Sequence, residues 1–180
     1  MPVSTLRSET AKVVRLAGGD VARIFRLIGS GVSPQDALHD LLPAVVSEYG
    51  ALGAALAAEW YDEERERAEV RGRFAAVPVA ADDRGAHALV GWAVAGATDD
   101  ATLRTLITGG VQRRVADHAR YTVASSAVAD SQAAGWMRVG GGSSCKFCAM
   151  LLGRGAVYSE AGASFESHDH CNCSAAPAWR

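Results

Sequence analysis

The sequence predicts a mainly α-helical N-terminal part joined to a small α+β C-terminal module. Three observations carry that expectation. Apolar residues recur at helical intervals over most of the first 135 positions, and Ser33-Pro34 and Asp99-Asp100 supply helix starts. All four cysteines fall between Cys145 and Cys173, behind a glycine-rich run.

In the first region, Val13, Val14, Leu16, Val21, Ile24, Phe25 and Ile28 form a helical stripe, which Gly18-Gly19-Asp20 is expected to split into two short helices. Ser33 reads as an N-cap with Pro34 at the first helical position and Asp36 in the first turn. From there helix extends toward Glu69, with Pro43, Gly50 and Gly53 marking a kink or break, so one helix or two fit equally. Glu59 to Arg71 alternates acid and base and reads as a solvated helix surface.

The segment 72–83, with Pro78 and small residues, reads as a loop between a helical region 1–71 and a second helical region 84–135. That second region begins with a helix from Arg84 to Gly96. Asp99-Asp100 opens the next, whose stripe of Leu103, Leu106, Ile107, Val111, Val115 and Ala119 continues through Val128 toward Gln132. The opposite face is expected to carry Arg104, Arg113, Arg114 and Arg120, and arginine forks along one helix can contact phosphates. Asp117 and Asp130 nearby favour an ordinary solvated surface instead.

Residues 136–180 form the module. Trp136 to Val139 reads as a strand, Gly140 to Ser144 as a flexible turn, Leu151 to Gly155 as a turn and Ala156 to Tyr158 as a second strand, with Phe165 free to pack over the site. The glycine run lacks the Gly-x-x-x-x-Gly-Lys-Ser/Thr pattern of a phosphate loop and leads into Cys145-Lys146-Phe147-Cys148. Such a Cys-x-x-Cys turn lets two thiolates converge on one tetrahedral ion, and a second group about twenty residues later can close the coordination. That group comes from His168, Cys171 and Cys173. The expected cofactor is one structural zinc ion, held by three cysteines and His168 or by all four cysteines. A segment this poor in large apolar side chains needs such support to fold.

The formal net charge is -2, which gives no general electrostatic pull toward nucleic acid or anionic membrane. The N-terminal residues lack a secretory pattern, and the longest apolar run, Ala51 to Ala58, is too short to span a bilayer, so no membrane association is expected. Enzyme motifs are missing: no His-x-Glu precedes the Cys-x-x-Cys as in zinc deaminases, and neither Gly-x-Ser-x-Gly nor His-Glu-x-x-His occurs. The chain is therefore expected to be non-enzymatic.

Trp136-Met137-Arg138-Val139, then Cys145-Lys146-Phe147-Cys148 with Leu151-Leu152-Gly153, then His168-Asp169-His170-Cys171-Asn172-Cys173 and Pro177, resemble the C-terminal module of the phage Mu F-like minor head proteins. The resemblance covers roughly Asp117 to Pro177. It implies a virion protein in few copies, made in the bacterial cytoplasm, associated with the portal or capsid interior and acting in head morphogenesis or DNA packaging and delivery. His170, in a position where that family usually has another residue, reads as a surface residue before an extra ligand. The competing function is a zinc-stabilised module that binds nucleic acid through the arginines named above.

Overall fold

The computed structural model describes residues 3–80, 84–140, 145–159 and 164–180. Their elements run α1 (Val3–Gly29), α2 (Pro34–Arg67), α3 (Arg84–Gly96), α4 (Asp100–Ala129), β1 (Ala133–Val139), α5 (Lys146–Leu152) and β2 (Ser174–Trp179). The sequence-derived class, helical first and α+β last, is the class observed.

The break expected at Gly18-Gly19 does not occur. Leu6, Val13, Ala17, Val21, Ile24 and Phe25 form one buried face that continues through the pair. Two glycines cost a helix about 1 kcal/mol each. Burying Val21, Ile24 and Phe25 returns roughly 1.5–3 kcal/mol apiece, so the stripe prevails.

Helix α2 starts as its sequence demands: the Ser33 hydroxyl accepts a hydrogen bond from the Asp36 N–H at 3.5 Å, and Pro34 follows. It then runs unbroken through Pro43, which is buried. Gly50 serves close approach: a Cβ there would lie 2.7 Å from Nδ1 of His118 on α4. By length and composition α2 is apolar enough to cross a membrane. Here it is the central helix, packed against α1, α3 and α4.

Asp99 caps α4 through an Oδ1 that accepts the Thr102 N–H at 2.7 Å. The helix ends at Ala129, short of Gln132, because Asp130 leaves helical geometry. Its carboxylate accepts from Arg65 Nε at 2.8 Å and from the Tyr61 hydroxyl at 3.5 Å. Arg65 thus departs from the solvated surface expected of the Glu59 to Arg71 run. It is 7% exposed and also donates to the carbonyls of Arg71 at 2.8 Å and Gly72 at 2.9 Å. The loop after it is strapped down as well, since Ala76 N–H donates to Asp62 and Val79 N–H to Thr122.

The buried apolar side chains form two clusters. One joins α1, the first half of α2, α3 and the first half of α4 around Leu38, Leu42, Val46, Ile107 and Val111. The second gathers Leu6, Trp60, Tyr61, Val123 and Ala127 with Trp136, Phe165, Cys148, Cys171 and Cys173. The C-terminal segment therefore shares its core with three helices.

Strands β1 and β2 pair antiparallel, with Val139 opposite Ser174 and Trp136 opposite Pro177. Proline fits there because the Trp136 backbone turns the other way: its N–H donates to the Tyr158 carbonyl at 2.8 Å, and its carbonyl accepts from Tyr158. That single bridge is all that forms of the strand expected at Ala156 to Tyr158. The turn expected at Leu151 begins only at Gly153, since α5 takes in Leu151 and Leu152. Gly141 to Ser144 of the anticipated glycine turn lie outside the described residues.

Candidate metal centre

The Cys-x-x-Cys pair is arranged by a helix start. Cys145 is the N-cap of α5, and its Sγ accepts the Cys148 N–H at 3.4 Å. Residues three apart in a first helical turn share a face, so both sulfurs point the same way. The second group enters on the loop before β2, which turns at His170 with φ of 62°.

The two groups converge. Nε2 of His168 lies 3.1 Å from the Cys145 Sγ and 3.3 Å from the Cys148 Sγ, and the Cys148 and Cys171 sulfurs are 3.7 Å apart. Metal–sulfur bonds of about 2.3 Å at tetrahedral angles put ligand sulfurs about 3.8 Å apart. Cys145, Cys148 and His168 form one set of donors within 4.8 Å of one another, and Cys148, Cys171 and Cys173 form a second. Cys148 belongs to both and joins them, so the two sets together offer five candidate donors for a four-coordinate ion. This Cys/His cluster could hold a metal ion. All four cysteines are free thiols.

Electrostatics suit a cation. Nδ1 of His168 is 2.7 Å from the Asp169 carbonyl, which engages that nitrogen and leaves Nε2 for the sulfurs. The same bond raises the His168 pKa. The Cys171 thiol falls to about 4, chiefly because Cys173 hydrogen-bonds to it, with help from the Arg120 charge. Cys173, the donor in that pair, is raised accordingly, and burial adds to the rise. Burial pushes Cys148 up to about 11, whereas Cys145 is lowered by the Cys148 backbone N–H. Without an ion the cluster retains protons that metal binding would release.

Helix α4 holds the ligand loop. Arg120, 3% exposed, donates from Nη2 to the Cys171 carbonyl at 2.5 Å, from Nε to the Cys173 carbonyl at 2.9 Å and from Nη1 to Asp117 at 2.6 Å. Asp117 also accepts from the Ser167 hydroxyl at 2.8 Å. Gly109 lets α4 come close, since a Cβ there would meet Asp169 and His170 at 3.2 Å. On the far side Trp136 stacks on Tyr158 at 4.3 Å and on Phe165 at 5.6 Å, while the Arg138 guanidinium lies 3.8 Å over the Phe165 ring. Phe165 does cover the site from within the core.

Residues 2–180 match the VG15 protein family. The chain belongs to that family. Its members are viral, phage-type gene products, and the match extends over the helices and the cysteine cluster alike. Neither a curated protein nor a solved structure matches the chain.

The four arginines noted on α4 do not share an open face. Arg120 is buried under the ligand loop, and Arg114 donates to the carbonyls of Gly85 at 2.7 Å and Gly110 at 3.2 Å. Arg104 lies 4.8 Å over the Phe25 ring, and Arg113 is 3.7 Å from Asp117. Helix α4 packs against α1, α2, α3 and both strands, so internal acceptors claim most of these guanidinium groups. His170 is exposed, with Nδ1 2.8 Å from Gln112 Oε1. Trp179 packs edge-on to Tyr61 at 5.5 Å. The positioning roles of Arg120 and Asp117 were not read from the sequence. Their i,i+3 spacing was visible, but which of four arginines turns inward depends on what covers the helix.

Proposed function

We propose that this chain is a structural component of the virion, a minor head protein associated with the portal or the capsid interior and serving head morphogenesis or DNA packaging and delivery. The observation that carries the reading is the convergence of Cys145 and Cys148 with His168, Cys171 and Cys173 beneath α4, in a chain matching a viral family over residues 2–180. The same ligand order underlies its resemblance to the Mu F-like minor head proteins.

The ion fitting these donors is zinc, which favours thiolate and imidazole in tetrahedral array. Protein donors drawn from both sets could fill all four positions, which makes a closed site as in structural rather than catalytic zinc centres. The role is accordingly structural, and the protein non-enzymatic. Bound zinc would fix the Cys171 to Cys173 loop on Arg120 and complete the second core, an apparent contribution on the order of 10 kcal/mol.

Two experiments test this. Mass spectrometry of gradient-purified phage particles should find the chain in few copies per particle; its absence from particles that contain portal and capsid would overturn the virion reading. Elemental analysis of the purified chain should give one zinc per chain, lost in Cys148→Ser. Parallel Cys145→Ser, His168→Ala, Cys171→Ser and Cys173→Ser variants identify the donor that can be spared. A folded, metal-free chain would refute the zinc assignment.

A further inference from the structure

A cavity of about 540 Å³ opens between α1, α4 and the Cys171 to Ser174 segment, with Cys171 and Cys173 of the cysteine cluster in its wall. Its charge is one-sided. Arg7 and Arg15 line it from α1, Arg120 lies at its inner wall, and among the described residues no carboxylate lines it.

The arginines differ in how far they are engaged. Arg120 spends all three nitrogens on Asp117 and the ligand-loop carbonyls. Arg7 donates only Nε, to the Asn172 carbonyl at 3.1 Å, which leaves its two terminal nitrogens for another acceptor. Arg15 is exposed, and no hydrogen bond or ion pair ties it to a described residue. The acid on this stretch of α1, Glu9, is paired with Lys12 instead. Two uncompensated cations thus flank the cavity, with Ser8 and Thr10 beside them.

Between the arginines the floor is apolar, made by Ala11 and Val14 of α1 with Ala116 and Ala119 of α4. Eight positions along a helix rise about 12 Å, a little over two turns, and Arg7 and Arg15 both line the cavity about that far apart. An extended peptide covers this distance in three to four residues. A nucleic-acid backbone offers closely spaced phosphates and nothing apolar for the floor.

From this geometry we propose that the cleft is a docking site for a short acidic segment of a partner protein, with carboxylates three or four residues apart on Arg7 and Arg15 and an apolar side chain between them on Ala11 and Val14. The cleft borders the metal cluster at Cys171 and Cys173, but Arg7 and Arg15 lie on α1 away from the donors, and the proposal does not depend on the virion reading. Purified virions could contain the chain with the cleft empty, and the cleft could bind peptide in a protein that never enters a particle.

The test is selection of a random-sequence peptide library on the purified 180-residue chain, followed by fluorescence polarisation of the enriched peptides. Enriched peptides should carry Asp or Glu at three- or four-residue spacing around an apolar residue. Their affinity should fall at least tenfold in Arg15→Glu and further in the Arg7→Glu/Arg15→Glu double variant. Arg15 touches no described partner, so that variant should keep wild-type circular dichroism and zinc content. Selection without acidic enrichment, or binding unchanged in both variants, overturns the proposal. So does a mixed-sequence DNA oligonucleotide that binds in place of peptides, through the same arginines and with steep salt dependence.

Discussion

Replacing Arg120 by methionine is the sharpest test of how α4 supports the ligand loop. The substitution keeps an unbranched apolar stem and removes the guanidinium. It strips the Cys171 and Cys173 carbonyls of donors at 2.5 and 2.9 Å and leaves Asp117 without the cation at 2.6 Å. A buried acceptor left unpaired costs about 1–3 kcal/mol, and breaking one side of a buried ion pair about 3–5 kcal/mol. Asp117 keeps the Ser167 hydroxyl, and Arg113 stands 3.7 Å away, so part of its charge stays compensated. The expected loss is therefore about 3–5 kcal/mol, below the sum of the parts. Arg138→Met is the internal control. Arg138 is equally buried and also lies against Phe165, but it donates a single bond, to the Glu166 carbonyl, and its Nε and Nη1 have no partner. Its replacement should cost only about 1 kcal/mol. Urea unfolding of the purified proteins measures both, and a chromophoric chelator measures affinity for the zinc proposed above. If the cluster holds zinc as proposed, Arg120→Met should weaken its binding by about 10–100-fold, the usual effect of losing a group that orients ligands. A loss under about 1 kcal/mol, or one no larger than that of Arg138→Met, would refute the role given to Arg120.

Other substitutions probe the rest of the fold. Gly18→Ala and Gly19→Ala should each stabilise the protein by about 0.5–1 kcal/mol and raise Tm by a few degrees, since nothing lies within 4 Å of either added methyl. Asp130→Ala should cost about 3–5 kcal/mol in chemical denaturation, because it leaves the Arg65 guanidinium buried without its carboxylate. Asp99 is held below the usual carboxylate value of 3.8, mainly by the Thr102 backbone N–H, so its contribution is fully present above that value and is lost as pH falls through the lowered one. Thermal melts of wild type and Asp99→Ala should accordingly differ at neutral pH and converge in acid.

The helix starts were legible because their chemistry is local: Ser33 and Asp99 satisfy N–H groups three residues on and need nothing distant. The cysteine cluster was legible for the same reason, since the spacing of Cys145 and Cys148 fixes their relation within one helical turn. What escaped depends on residues far away in sequence. The charged run after Trp60 gave no sign that Arg65 alone would turn inward, because its partner is 65 positions away at Asp130. Strand β2 went unread because Ser174 to Trp179 contains three alanines and a proline, a composition that becomes a strand only when β1 presents its edge. Gly18-Gly19 read as a break because propensity is counted locally, whereas the stripe that overrides it is defined by α2 and α4.

Helices α2 and α4 each cross from one buried cluster to the other. Leu38 to Val46 of α2 and Leu103 to Val115 of α4 belong to the first, while Trp60, Tyr61 and Ala119 to Ala127 belong to the second. Neither cluster can loosen without fraying the same two rods, so the protein should melt as one cooperative unit. A load applied to the C-terminal strands would be transmitted along about 45 Å of continuous α4 to the far end of the helical body. In hydrogen exchange, the amides in the middle of α2 and α4 should open together, at the free energy of global unfolding.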